Sequence, residues 1–313
     1  MAQSPLIRKL ELIAAAVETT PGTAESLDAA DAVDLVSDLS FEFLTEKTPR
    51  ETPGSWGREP GVYGVRTAQL GFKLGLSCES TFPRVAAVYL AACGLGGSGG
   101  GVYTRDPLLP HASGATAKTL TFGFYRDGKR RLFYGAMGNA VLHFLSGQPV
   151  SIDFQFKGKY VTGEADVALL SPTLNRPTLM RFGNAALTLG SYTPRVSKLA
   201  LDLGNDVQLL EDQNASDASG IAHAYVDAFD TVAAFDPEQC IVADHDFYSI
   251  WEAGTEQAVS WSALAGGAEV AFAMSEAEYV NLKDGERRNL SVYEMGFRDN
   301  TPDLSLTFTP AGS

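Results

Sequence analysis

The sequence is poor in the residues that most enzyme and metal chemistry needs. Of its 313 residues, three are cysteine and four are histidine. Cys78, Cys93 and Cys240 have no regular spacing, which argues against a disulfide framework or a zinc site and predicts free thiols in a reducing cytoplasm. No apolar run approaches the roughly 20 residues that span a bilayer, so no membrane partner is expected. The opening stretch MAQSPLIRKLELIAAAVETT sets Arg8 and Lys9 before a short apolar run that Glu11 interrupts. It reads as a surface or docking segment rather than a signal peptide. Positive charge is short as well: 24 Lys and Arg face 38 Asp and Glu, a net charge of −14. Affinity for DNA comes largely from neutralising phosphates with Lys and Arg, so sequence-specific DNA binding is not expected. An acidic balance also serves solubility alone.

What the chain does have is a globular composition, 45% hydrophobic and 20% charged, arranged with a period of two. In LGFKLGL, Leu70, Phe72, Leu74 and Leu76 alternate with small or polar residues, as in a half-buried strand. VDLVSDLSFEFL places Leu35, Leu39, Phe41 and Phe43 on one face and Asp34, Asp38 and Glu42 on the other. The stretch from Lys118 to Gly158 reads as a meander, with Asp127-Gly128 as a tight hairpin and Gly147-Gln148 as a further turn. Two helices are expected, one over about 83–93 with Val85, Val88, Tyr89 and Ala92 on one face, and one in SEAEYVNLK from Ser275. Residues 45–64 hold prolines, glycines and mixed charge, and read as a long functional loop between two strands. No true linker divides the chain, so residues 1–313 are expected to form one β-rich body with long loops.

Several motifs suggest chemistry and fail on context. AACGLGGSGGG, residues 91–101, contains the spacings of a dinucleotide-binding turn and of a hydrolase nucleophile elbow. Both need a strand before the glycines and a helix after them. Here a helix comes first, Gly94 suits its left-handed closing position, and Pro107 and Pro110 follow. The glycines read as a helix stop and a flexible connector. DQNASDASG places Asp212, Asn214 and Ser216 as in a calcium loop, but Asp217 stands where the sharp turn needs Gly and His223 where the bidentate Glu belongs. Asp244, His245 and Asp246 cannot converge on one metal from neighbouring positions and read as a solvated turn. Asp34 and Asp38 lie about 13 Å apart along a strand, too far for a glycosidase pair. Trp56, Trp251 and Trp261 could stack on sugars, although buried or interfacial tryptophans are commoner. Arg130 and Arg131 follow the hairpin turn and read as solvated. No cofactor, metal or catalytic residue is assigned, and the chain is expected not to be an enzyme.

The order of segments resembles the major tail tube proteins of long-tailed bacteriophages and related contractile or gene-transfer particles. The resemblance is carried by VETTPGT with Glu18, Thr19, Gly22 and Thr23, by the helix closing in Ala92-Cys93-Gly94, and by VYTRDP. It continues in the Asp-Gly hairpin, the Gly135-Ala-Met-Gly138-Asn139 step, Phe156-Lys157-Gly158, LDLGNDVQLLED and the terminal NLKDGERRNLSVYEMGF. It implies two packed β-sheets (a sandwich or open barrel) with a flanking helix, and six copies in a ring whose strands join in an inner barrel. Rings would stack into a tube in the virion tail, assembled in the host cytoplasm with tape measure, terminator and tail tip or baseplate proteins. Genome DNA would pass through without specific binding, which an acidic wall favours. Lumen-facing candidates are Asp34, Asp38 and Glu42, with Asp153 and Asp202 from the same pattern. Glu46, Arg50, Trp56 and Arg58 are candidates for ring-to-ring contact. A capsid decoration or fibre protein and a carbohydrate-binding β-sandwich remain the alternatives.

Overall fold

The alternating pattern becomes strand over most of the chain in the computed structural model, with 58% of residues in strands and 7% helical. The structure describes residues 11–311 apart from 34–35, 51–58, 80, 98–100, 107–111, 161–162, 172–177, 182, 184, 216, 218 and 266. One layer pairs β1 (Glu11–Val17) with the short β2 (Ala32–Val33) and with β7 (Leu120–Arg126), and β7 with the first half of β8 (Lys129–Leu145). The short β10 (Ala165–Asp166) joins β8 at Lys129 and Arg130. Strand β8 carries the chain from this layer into the second, larger one. Its register shifts between Tyr134 and Met137, where Gly135 is left-handed.

The second layer is built around eight strands in the order β3 (Val36–Arg50), β4 (Glu59–Gly75), β9 (Ser151–Lys159), β8, β12 (Lys198–Asp202), β15 (Val232–Phe235), β18 (Leu290–Asp299) and β17 (Ala268–Arg287). The first half of β17 has other neighbours. On one side lies β16 (Gln257–Ala265), followed by β11 (Ala185–Leu189). On the other lies β19 (Ser305–Thr309), then β6 (Val102–Arg105) and β5 (Leu95–Gly97). A separate hairpin, β13 (Asn205–Glu211) with β14 (Ile221–Phe229), covers part of β8 and β9.

The two layers close on an aromatic core. Phe122 and Phe133 from the first layer stack at 5.0 Å, and Phe72, Phe154 and Phe156 face them from the second. Helix α1 (Phe82–Ala91) inserts Tyr89 among these rings, 5.2 Å from Phe72 and 6.2 Å from Phe122. Its buried face is Phe82, Ala86, Tyr89 and Leu90, with Val85 and Val88 only half-buried. Of the four residues expected on one face, Tyr89 and Ala92 are buried and Val85 and Val88 are half-buried; Ala86, too small to mark a stripe in the sequence, belongs to the buried face. Gly94 is left-handed, as the helix stop requires. Immediately after it, Leu95–Gly97 is strand β5 rather than connector.

Two expectations are corrected here. The helix expected from Ser275 is the middle of the 20-residue strand β17. Tyr279 is buried against Phe297, and that packing outweighs the local helical preference of Glu and Ala. The 45–64 loop is shorter than expected, since β3 continues through Arg50 and β4 starts at Glu59. The two strands stay paired to Arg50 and Glu59, and from Glu59 to Arg66 β4 has β3 as its only strand partner among the described residues.

The opening motif ties the layers together. Glu18 is buried, and its carboxylate accepts from the backbone N–H of Gly22 (2.7 Å) and Gly135 (2.6 Å) and from the hydroxyls of Thr119 (2.6 Å) and Thr121 (3.0 Å). Burial raises its pKa against the pull of these four donors. Gly22 is left-handed, and a Cβ there would run into the carbonyl oxygen of Ala222.

Candidate functional site

The eight-strand array has one face on the core; the other is largely polar, and near Met137 it is covered by the β13–β14 hairpin. A single cross-strand row runs along it: Ser37, Lys73, Asp153, Val141, Asp202, Val232, Arg298 and Glu278 are successive register partners. The row brings Asp153 and Asp202 together on this face, two strands apart. Lys73 Nζ lies 3.4 Å from Asp153 and 3.9 Å from Asp38, and His143 Nε2 lies 3.0 Å from the other oxygen of Asp153. Asp202 accepts from Asn139 Nδ2 at 2.8 Å and from the N–H of Gly204 at 2.9 Å. Glu42 is exposed two rows further along the same face, its backbone opposite Gln69 and beyond it Lys157.

Asp38 does not belong to a uniform acidic stripe. It is left-handed (φ 52°) in a bulge between Ser37 and Ser40, so the even spacing of acids breaks at that point. Asp34, Trp56 and Arg58 lie outside the described residues. Glu46 and Arg50 fall within β3, and their side chains are outside the description. The face is therefore polar and mixed in charge, not simply acidic. Lys73, Lys283 and Arg298 each stand against a carboxylate, Arg298 at 2.9 Å from Asp230. A paired cation offers little to a passing phosphate, because its carboxylate already neutralises it.

The array is open at both ends. Ala277 has Gln257 on one side and Asp299 on the other, so β16 and β18 flank β17 on opposite edges. From Glu278 to Arg287 the edge that β16 occupied has no strand partner among the described residues. The outer edge of β3 has none either. Both strands carry a bulge near that edge with a left-handed non-glycine residue, Asp38 in β3 and Asn281 (φ 56°) in β17.

Helix α2 (Phe247–Glu252) packs beside the β17 edge. Its anchor is His245, which stacks on Tyr192 at 4.4 Å and shares a 2.9 Å hydrogen bond with Tyr279 Oη. His245 is thus half-buried rather than solvated, and burial lowers its pKa against the pull of Asp246. Arg131 is also more engaged than expected: it pairs with Glu164 and lies over the rings of Phe41, Phe43 and Phe124. Trp261 is buried in the core, while Trp251 on α2 is exposed.

The sequence reading missed Arg105. It is buried, donates to the carbonyls of Cys93 and Leu203, to Asn205 Oδ1 and to Thr231 Oγ1, and lies over Phe229. It fixes the root of the β13–β14 hairpin. Its place after the alternating Val-Tyr-Thr of β6 was the only available signal, and an Arg there reads as solvent-facing. Among the described residues, no three His, Cys, Asp or Glu are placed to hold a metal ion, and no helix is long and apolar enough to cross a membrane. No family model matches this chain, and no curated protein matches it either.

Proposed function

We propose that the chain is a ring-forming structural subunit of a tail tube, as its resemblance to the tail tube proteins of long-tailed phages implies. The observation that carries this reading is the eight-strand sheet with two unpartnered edges. All seven of its pairings are antiparallel. With an even number of strands, the β3 edge of one copy meets the distal β17 edge of the next in antiparallel sense as well. Head-to-tail repetition of such a contact closes a ring and leaves no free edge.

The stagger of the two edges fits closure. Measured from the row through Lys73, the free edge of β3 extends toward Arg50 and that of β17 extends the opposite way toward Arg287. Strands that tilt in a closed barrel need a stagger in register of this kind between the two edges. The polar face then lines the lumen, with Asp153, Asp202 and Glu42 among paired cations, and DNA slides past without being held. A decoration protein or a sugar-binding sandwich has no need of two complementary edges.

Negative-stain electron microscopy of the purified protein over a concentration series tests the reading. Six-fold rings with an open centre, or striated tubes, are expected. Particles that stay monomeric at every concentration, including after addition of preformed tail tips, would contradict it.

A further inference from the structure

A compact apolar patch lies at one end of the molecule. Within the turn-and-helix unit of residues 241–252, Ile241 is 69% exposed, Val242 71%, Tyr248 51% and Trp251 42%. Large apolar side chains grouped this way on a surface mark an interaction site. The same unit carries Asp244, Asp246 and Glu252 and no Lys or Arg. Asp246 is partly occupied in capping α2, accepting from the N–H of Ser249 at 3.0 Å, which leaves Asp244 and Glu252 on the rim. An occupant should be apolar and basic.

Residues 1–10, MAQSPLIRKL, have that chemistry. Leu6, Ile7 and Leu10 flank Arg8 and Lys9, and no acid is present. They cannot reach the patch of their own copy. Glu11 pairs with Arg126, which pairs with Lys129, the first residue of β8. The patch lies past the other end of β8: the chain leaves β15 at Phe235, level with Phe144, and Asp236 then accepts from the N–H groups of Ser197 and Lys198 beside Leu145. Strand β8 has 17 residues and turns at Gly135 between the layers, so its contour is an upper bound, and even a right-angle turn leaves the two places about 30 Å apart. Leu6 to Leu10 lie within five residues of Glu11 and reach at most about 18 Å from it. In rings stacked along the direction of β8, the two places of successive copies would face each other.

We propose that residues 1–10 of one copy dock on the Ile241, Val242, Tyr248 and Trp251 face of a second copy in the next ring. The apolar side chains bury the patch while Arg8 and Lys9 meet Asp244 and Glu252. This inference rests on the tube reading, because only axial stacking supplies a second copy in that orientation.

The test is zero-length carbodiimide crosslinking of the full chain, using an equimolar mixture of ¹⁴N and ¹⁵N protein under assembling conditions. Mass spectrometry should find Lys9 joined to Asp244 or Glu252 in mixed-isotope pairs. The exposed-site variants Ile241→Asp and Trp251→Glu should lower that yield about tenfold, the equivalent of about 1.4 kcal/mol of docking energy, with unchanged circular dichroism. Lys9 joined only within its own chain, joined elsewhere, or insensitive to both variants overturns the docking. If rings form without the crosslink, the docking fails and the tube reading stands. If neither rings nor crosslinks form, both fail.

Discussion

The two ends of the eight-strand sheet are built alike in backbone and differently beneath. Each is a long antiparallel hairpin that outruns its neighbours, and each carries a bulge with one left-handed residue, Asp38 in β3 and Asn281 in β17. Under β17 the packing is complete within one chain. Tyr279, Phe297 and Phe247 are all buried, with Tyr279 and Phe297 rings 5.2 Å apart. Under β3 it is not: Leu39, Phe41 and Phe43 are only half-buried, with Phe41 stacked on Phe124 at 5.3 Å and Arg131 above it. A bulge discourages indiscriminate pairing at an edge. In the ring we propose, this difference would make β17 the finished template and β3 the edge that gains burial from a neighbour.

Truncating the underside at each end separates the two most strongly. Tyr279→Ala should cost about 4 kcal/mol in the unassembled protein. Phe41→Ala should cost about 2 kcal/mol there, because Phe41 is already partly exposed to water. Urea denaturation of both variants checks this, and equal costs would erase the contrast.

A charge distinguishes the β17 end further. Asp299 on β18, opposite Ala277, has its pKa pushed up to about 6 by burial and by the neighbouring carboxylate of Asp303. A carboxyl whose folded pKa exceeds its unfolded value destabilises the fold once ionised in both states. Asp299→Asn should therefore raise Tm at pH 8. The gain should shrink as pH falls below about 6 and vanish near pH 3, below both the folded value and the ordinary Asp value of about 3.9. A gain that is independent of pH would contradict the assignment.

The smallest effect belongs to the polar face between the ends. Lys73 bridges Asp38 and Asp153 in a half-exposed setting, and such pairs contribute no more than about 1 kcal/mol. Lys73→Gln should change monomer stability by about 0.5 kcal/mol or less, as urea titration would show. It leaves Asp153 with His143, 3.0 Å away, as its remaining partner.

The sequence made the class of fold legible because alternation is a local signal. The strands around Leu70–Leu76, the Asp127-Gly128 hairpin and the helix stop at Gly94 all follow from residue spacing, and the last two from left-handed backbone as well. Long-range packing hid the rest. The Asp284-Gly285 pair looks like a turn, yet β17 runs through it and reverses at Arg288-Asn289, where both residues are left-handed. The row that joins Asp153 to Asp202 runs through Val141 on β8, and β12 lies some forty residues beyond β9 in sequence, so no spacing could reveal it. Glu18 was visible as part of a motif, but its four donors come from three separate segments. Asp38 misled the reading because alternation assumes an unbroken strand, and the bulge sits at that residue.

The most direct test of edge-to-edge closure is amide hydrogen exchange, compared between dilute monomer and assembled protein and read by peptide across β3 and β17. The account predicts that Val36–Thr45 and Glu278–Arg287 become protected together on assembly, while β12 and β15 in the middle of the sheet, already paired on both sides, change little. Assembled protein in which either edge exchanges as fast as in the monomer would contradict it.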